Sequence, residues 1–461
     1  MKLSVDSLKK DPQKLREFLS SNRSTRELLA ILKRLGKLEK GFDKNILINL
    51  LRHHNSEVRL WAVKNLGKLK DIGLFPLFKE IVLKDNDTAV RREAVSAIGR
   101  LRNESTIEFL FSLLEDKDPE VVSQAIRGLL VFKGNKNVDV VLKRLIHHEN
   151  EIIRDIIAVE YFQDKGSSTN LKVNAKKFSN IAVNGDVIDV LRMLPDNVVD
   201  LTFTSPPYYN AKNYSKYKSY EAYLDLLVEV FKEVHRITKE GRFFVLNTSP
   251  VIIPRVGRKY KSRRYAIPFD IHSRLVEIGW EFIDDIIWIK PSGSAKNRIG
   301  GFLQHRKPLT YKPNPVVEYI MVYRKRTTKL IDWNIRQYDE ETIEKSKVRG
   351  EVDRTNVWYI NPDSDPLHEA VFPEELCQKV IKYYSFVGDL ILDPFAGRGT
   401  LGKVALDMQR KFFLIEKNEK YFSYMKEFVT KGRLVLEKEF PKFMTYEEFK
   451  EYVSEFRSKC S

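Results

Sequence analysis

Cysteine is nearly absent: the 461 residues hold only Cys377 and Cys460, and neither has the spacing of a metal-binding pair. A disulfide scaffold and a zinc ribbon are thereby excluded, and the usage fits a reducing cytosol. Long apolar runs are missing too. No stretch reaches membrane-spanning length, and the opening MKLSVDSLKKDPQK lacks the apolar core of a signal peptide. The expectation is a soluble cytoplasmic protein, with no metal site. Acidic residues are outnumbered, 63 against 80 basic, for a net charge of +17. That balance points to a polyanionic partner and says nothing about fold. His53-His54 and His147-His148 have no acid or cysteine cluster beside them, and read as surface residues rather than ligands.

What is present first is a repeat. Asn55–Leu69 aligns with Asp87–Leu101 and Asp118–Phe132, and Glu149–Phe162 is a weaker fourth copy. The register residues are Val58, Val90, Val121 and Ile152, spaced 32, 31 and 31. Within each copy the apolar positions fall at helical intervals, and second apolar helices (Leu74–Leu83, Ile107–Leu114) lie between copies. Asn55, Asp87 and Asp118 stand where N-caps belong. A helix pair that cannot bury its own face alone is a solenoid unit. The pattern resembles short HEAT repeats, so residues 1–165 are expected to form an all-α HEAT-like array, followed by a polar linker over 166–177. Binding along nucleic acid, docking a protein and supporting the next domain all remain open for the array.

Past the linker the period changes. Ile181–Asp186 reads as a strand into a turn, Val187–Leu194 as a helix stopped by Pro195, and Val198–Phe203 as a buried strand. Ser219–Ile237 is a long amphipathic helix, Arg242–Asn247 a strand, and Pro268–Ile278 a helix. Apolar runs then follow at Trp280–Lys290 and Val316–Tyr323. Strand and helix alternate, as in an α/β sheet. The last stretch, 433–461, reads as a helical tail.

Two turns in this sheet carry chemistry. Thr204-Ser205-Pro206-Pro207-Tyr208-Tyr209-Asn210 follows the Val198–Phe203 strand. Its two prolines remove backbone donors and end the ladder, leaving a stiff turn where open α/β sheets bind ligands. Two acceptors there could hold the hydrogens of an exocyclic base amine and aim its lone pair, while Tyr208 stacks on the base. The second turn, Asp393-Pro394-Phe395-Ala396-Gly397-Arg398-Gly399-Thr400, follows the Gly388–Asp393 strand. Gly397 and Gly399 permit a tight turn and close approach. A helix and the strand Lys411–Glu416 come next, ending in an acid 23 residues beyond Asp393, placed for ribose hydroxyls. Neither a full G-x-G-x-x-G nor a closing Lys-Ser/Thr is present, which argues against a phosphate ligand.

Together, residues 178–432 resemble the beta group of S-adenosylmethionine-dependent DNA amino-methyltransferases. Ser205-Pro-Pro-Tyr208 is similar to the catalytic motif of that family, and Asp393–Thr400 to its cofactor motif. Asp285–Pro291 and His368–Leu376 are similar to further family segments. The resemblance implies a Rossmann-like α/β fold, a mixed, mostly parallel sheet with helices on both faces. It implies that Asp393, Pro394, Phe395, Gly397, Gly399 and Thr400 cradle the methionine part of S-adenosyl-L-methionine, with Phe372 and Pro373 closing over it. Glu416 takes the ribose and Asp186 the adenine amine. Ser205 and the Pro206 carbonyl, stiffened by Pro207, hold the target amine. Arg398 departs from the small residue usual in the family, and is expected to point away from the cofactor.

Within the family it resembles, Ser205 in place of aspartate implies the N4 of cytosine in a specific DNA sequence as the target. The N6 of adenine is the alternative, and an RNA substrate or an inert nucleic-acid-binding scaffold stays open. From 255 to 329, 17 basic residues face 6 acidic ones. Arg255, Arg258, Lys259, Lys261, Arg263 and Arg264 form one basic loop with tyrosines, and Lys296, Arg298, Arg306 and Lys307 a second. These are candidate contacts to double-stranded DNA, within recognition insertions at 250–265 and 291–366. A cognate restriction endonuclease is the further partner the resemblance admits.

Overall fold

The computed structural model describes residues 12–20, 24–36, 38, 42–162, 175–209, 217–253, 257, 259–294, 315–363, 372–431 and 440–458. The chain divides into two compact units, Met1–Ser168 and Thr169–Ser461. Most of the expected linker, residues 166–174, lies outside the described residues.

The first unit is helical throughout its described residues. Four helix pairs follow one another: Asn45–Leu50 with Ser56–Gly67, Phe75–Lys84 with Thr88–Leu101, Ile107–Ser112 with Pro119–Leu129, and Lys136–Arg144 with Glu151–Ile157. The second helix of each pair opens on a side-chain cap from Asn55, Asp87, Asp118 or Asn150. Asn150 corrects the repeat register. The residue equivalent to Val58 is Ile153, which is fully buried, whereas Ile152 is 59% exposed. The N–H of each cap residue is itself taken by the side chain two positions earlier: His53, Asp85, Asp116 and His148. The two aspartates also receive an arginine from the repeat before, Arg59 to Asp85 and Arg91 to Asp116. Close packing between the capped helices needs glycine, since a Cβ on Gly99 would come within 2.9 Å of the Gly128 backbone.

Among the described residues, the second unit is built on a nine-stranded sheet. Its strands in chain order are β1 (Ile181–Asn184), β2 (Val199–Thr204), β3 (Thr238–Thr248), β6 (Trp280–Ile289), β7 (Val317–Lys325), β8 (Val357–Tyr359), β9 (Leu390–Asp393), β10 (Lys411–Glu416) and β11 (Lys442–Thr445). A separate hairpin joins β4 (Val251–Ile253) to β5 (Arg263–Tyr265). The spatial order is β11-β1-β10-β9-β2-β3-β7-β6-β8. Only β7 runs against the rest, antiparallel to β3 and β6.

Alternation along the strands sends side chains to two cores. Ile181, Val183, Leu390, Leu392, Phe413 and Ile415 meet the helices Val187–Met193, Tyr220–Ile237, Ile267–Ile278 and Tyr446–Ser458. Ala182, Ile391, Phe412 and Leu414 meet Glu374–Tyr384, Thr400–Asp407 and Glu419–Thr430 on the other face. A helix layer on each face is what a strand buried on both sides requires.

Two expectations are refined here. The stretch 433–461 is no mere tail: β11 extends the sheet beside β1, and Phe449 and Val453 are buried in the first core. Part of the insertion at 291–366 packs at the end of the sheet opposite the two motif turns. Asn334 binds the Glu240 carbonyl and Tyr338 donates to Asp389, both at the amino ends of their strands. Asp389 is nearly fully buried there against Arg242 and Asp200; burial raises its pKa to about 6.

Candidate active site at the switch point of the sheet

After β9 the chain crosses to β10 on one side, and after β2 it crosses to β3 on the other. The carboxyl ends of β2 and β9 therefore border the crevice where open α/β sheets bind ligands. The two motif turns leave from these ends. Thr204, the last residue of β2, donates its hydroxyl to Asp393 Oδ1, at the end of β9, at 2.7 Å. Residues 189 apart in the chain are thus held together by one buried hydrogen bond.

The cofactor-type turn is tightly specified. Asp393 is 2% exposed and also accepts from the Phe395 N–H at 3.0 Å. Burial raises its pKa from 3.8 to about 7, against the pull of those two hydrogen bonds. Among the described residues, no lysine or arginine pairs with it. Gly397 and Gly399 have φ of +54° and +83°. The close approach at Gly399 is to the Glu419–Thr430 helix, where an added Cβ would sit 2.6 Å from Met425 Cγ. Gly397 N–H donates to Glu416 Oε2 at 2.8 Å, and Asn418 N–H to Oε1 at 2.7 Å. Burial raises the Glu416 pKa as well. Arg398 turns toward the same helix, with its guanidinium 4.5 Å from the Phe428 ring centroid and Nε donating to Thr400 Oγ1.

Asp186 follows β1, caps the Val187–Met193 helix and pairs with Lys417, next to Glu416. Phe372 stacks on Phe203 of β2 at 4.6 Å, and Pro373 begins the Glu374–Tyr384 helix. Pro394 and Phe395 stand in the loop itself. Asp186, Asp393 and Glu416 stand at or just past the carboxyl ends of β1, β9 and β10, and Phe372 lies against the end of β2.

The catalytic-type turn is braced by residues that motif reading did not single out. Ser205 Oγ lies 3.4 Å from Asn247 Nδ2, near the end of β3. Tyr208 is half-buried and donates to Glu318 Oε2 at 2.8 Å. Burial and the Glu318 charge push its phenol well above the usual range. Pro206 is buried and Pro207 half-buried, so the turn is walled in. Asn247 was legible only as a strand terminus. Glu318 had one signal, a charge inside the apolar run 316–323.

The first basic loop borders this turn. Tyr209 is buried among Tyr217, Tyr220, Tyr223 and Tyr265, the last on β5, with its ring 5.0 Å away. The β4–β5 hairpin is thereby seated beside the turn. Lys259, Lys261, Arg263 and Arg264 are exposed on it. Arg255, Arg258, Lys296, Arg298, Arg306 and Lys307 lie outside the described residues, as does Asn210.

Residues 199–427 match the DNA methylase family, and residues 75–160 match HEAT repeats. The type II methyltransferase M.MwoI of Methanothermobacter wolfeii is 30% identical over 262 residues, covering 53% of this chain and 34% of that protein. The DNA adenine methyltransferase YhdJ of Escherichia coli K12 is 30% identical over 255 residues, covering 53% of this chain and 82% of that protein. The solved structure of TTHA0409 from Thermus thermophilus, complexed with S-adenosyl-L-methionine, is 26% identical with a TM-score of 0.43, over 54% of this chain and 95% of that one. The match thus spans about a third of the length of M.MwoI and most of the length of YhdJ.

Proposed function

The chain belongs to the DNA methylase family, and on that footing we propose that its second unit methylates the N4 amine of cytosine in a specific sequence of double-stranded DNA. The methyl donor is S-adenosyl-L-methionine. The residues present fit it: a buried carboxyl at Asp393 with no cationic partner among the described residues suits an ammonium, and Glu416 keeps lone pairs free for ribose hydroxyls. Asp393, Pro394, Phe395, Gly397, Gly399 and Thr400 would hold the methionine part, Glu416 the ribose, Asp186 the adenine amine, and Phe372 and Pro373 the cover. The donor supplies an electrophilic methyl group on sulfur.

The rest of the chemistry belongs to the protein. An exocyclic amine is a weak nucleophile because its lone pair is delocalised into the ring. Ser205 Oγ and the Pro206 carbonyl accept its two hydrogens, draw the nitrogen toward a tetrahedral shape and aim the lone pair. With the donor bound, the amine held by Ser205 and the Pro206 carbonyl would take up the methyl carbon and pass one of its protons on to solvent water, the electron pair of the broken S–C bond remaining on sulfur. Tyr208 stacks on the base, which must leave the duplex to reach the turn. Lys259, Lys261, Arg263 and Arg264 would meet backbone phosphates.

The observation that carries this reading is the Thr204–Asp393 hydrogen bond, which ties the two turns across the switch point. A second reading, transfer to the N6 of adenine, is favoured by the likeness to YhdJ. Transfer of labelled methyl to duplex DNA, followed by digestion to nucleosides, decides between them. N4-methylcytosine is expected; N6-methyladenine alone would establish the second reading. Loss of transfer in Ser205→Ala and Asp393→Ala is expected, and absence of transfer to any duplex would overturn both.

A further inference from the structure

The catalytic-type turn is held from behind by a carboxylate on the neighbouring antiparallel strand. Glu318 opens β7, so it lies at the same edge of the sheet as the ends of β2, β3 and β6. It is 8% exposed and accepts three donors. Tyr208 Oη and Asn247 Nδ2 both reach Oε2, at 2.8 and 2.6 Å, while the Lys290 ammonium pairs with Oε1.

A carboxylate can only accept, so every hydrogen in this cluster must come from its neighbours. That fixes the direction of the Tyr208 hydroxyl, which points at Glu318. It also fixes the flip of the Asn247 amide, with nitrogen toward Glu318. The same nitrogen then faces Ser205 Oγ at 3.4 Å. Asn247 Oδ1, buried, is left without a hydrogen-bond partner among the described residues. An orphaned carbonyl is what results when the orientation of the amide is dictated by Glu318 rather than by its own saturation. With Asn247 donating to it, Ser205 Oγ accepts on one lone pair and keeps the other.

We propose that Glu318 is a positioning residue for methyl transfer. Through Oε2 it holds Tyr208 and Asn247 so that Ser205 Oγ presents a lone pair to the target amine and the Tyr208 ring stands where the base stacks. Lys290 supplies the counter-charge that lets a carboxylate sit buried beside the site. The inference rests on the amino-methyltransferase reading of these turns, and it touches neither the cofactor loop nor the basic hairpin.

The test uses the full chain, single-turnover methyl transfer to duplex DNA, and separate calorimetric titration of S-adenosyl-L-methionine. In Glu318→Gln the single carbonyl oxygen cannot serve Lys290 and the Tyr208–Asn247 pair together, and its amide nitrogen would face one set of donors. The transfer rate constant is expected to fall by about 10- to 100-fold, as for small displacements of reacting groups, with cofactor affinity unchanged. In Glu318→Gln/Lys290→Met the carbonyl is free to turn to Tyr208 and Asn247, and most of the lost rate returns. A merely structural role would not produce that rescue. A Glu318→Gln rate equal to the parent, a double variant that folds yet stays slow, or a loss confined to cofactor affinity would each overturn the proposal. Failure of the unsubstituted chain to methylate any duplex would instead sink the reading beneath it.

Discussion

The affinity of the site for its cofactor should depend steeply on pH through Asp393. Burial lifts this carboxyl from 3.8 to about 7, although Thr204 and the Phe395 N–H both favour its charged form. A displacement of that size corresponds to about 4 kcal/mol of preference for the neutral acid. An ammonium ligand needs the carboxylate, so binding must first remove the proton. Below pH 7 the ionised fraction falls about tenfold per pH unit, and so should the affinity for S-adenosyl-L-methionine; above pH 7 it should level off. Titration calorimetry between pH 5.5 and 8.5 measures this directly. Asp393→Asn should bind weakly at pH 8 and lose the slope.

The cofactor-free protein should show the mirror image. The folded pKa of Asp393 lies above the unfolded one, so the folded state holds more protons between pH 4 and 7 and stability falls as pH rises through that window. Glu416 and Asp389 are shifted in the same direction by burial. The difference between parent and Asp393→Asn melting curves therefore isolates the contribution of Asp393. Cofactor affinity that stays flat from pH 5.5 to 7.5 in the parent would refute the argument.

Gly399→Ala should destabilise the fold by about 1–3 kcal/mol, since it combines a φ of +83° with a contact to Met425, and urea denaturation would register it. Arg59→Ala leaves Asp85, 9% exposed, without its partner, and should lower the stability of the array by about 3 kcal/mol; Arg59→Ala/Asp85→Ala should recover part of that, as a double-mutant cycle shows. Burial lowers the His53 pKa below 6.5, so its contribution is complete above pH 6.5 and fades as pH falls through the folded value. His53→Asp, copying Asp85 and Asp116, should keep the bond to the Asn55 N–H and flatten that acid-side loss in thermal melts.

The parts legible in the sequence are those written in residues with stiff local geometry. Pro206, Pro207, Gly397 and Gly399 announce their turns without reference to anything distant, and capped amphipathic helices announce the repeats. Asn150 shows the limit of that reading: a single-residue shift of register moved the buried position from Ile152 to Ile153, because apolar residues stand at both. Glu318 escaped because its partners Asn247 and Tyr208 lie 71 and 110 positions away, and only the pairing of β3 with β7 brings them together. The stretch 331–346, within the insertion at 291–366, is hard to place from sequence for a related reason. Its polar composition suits a recognition loop, yet Asn334 and Tyr338 are spent on groups at the amino ends of the strands.

The seating of β11 against β1 has a consequence for how the enzyme unit is made. Residues 442–445 supply the outer neighbour of residues 181–184, so during synthesis the first strand of the sheet waits with an open edge until nearly the whole unit has left the ribosome. The same adjacency puts the first and last strands of that unit side by side. A permuted gene that joins them and opens the chain elsewhere would keep every strand beside its present neighbours.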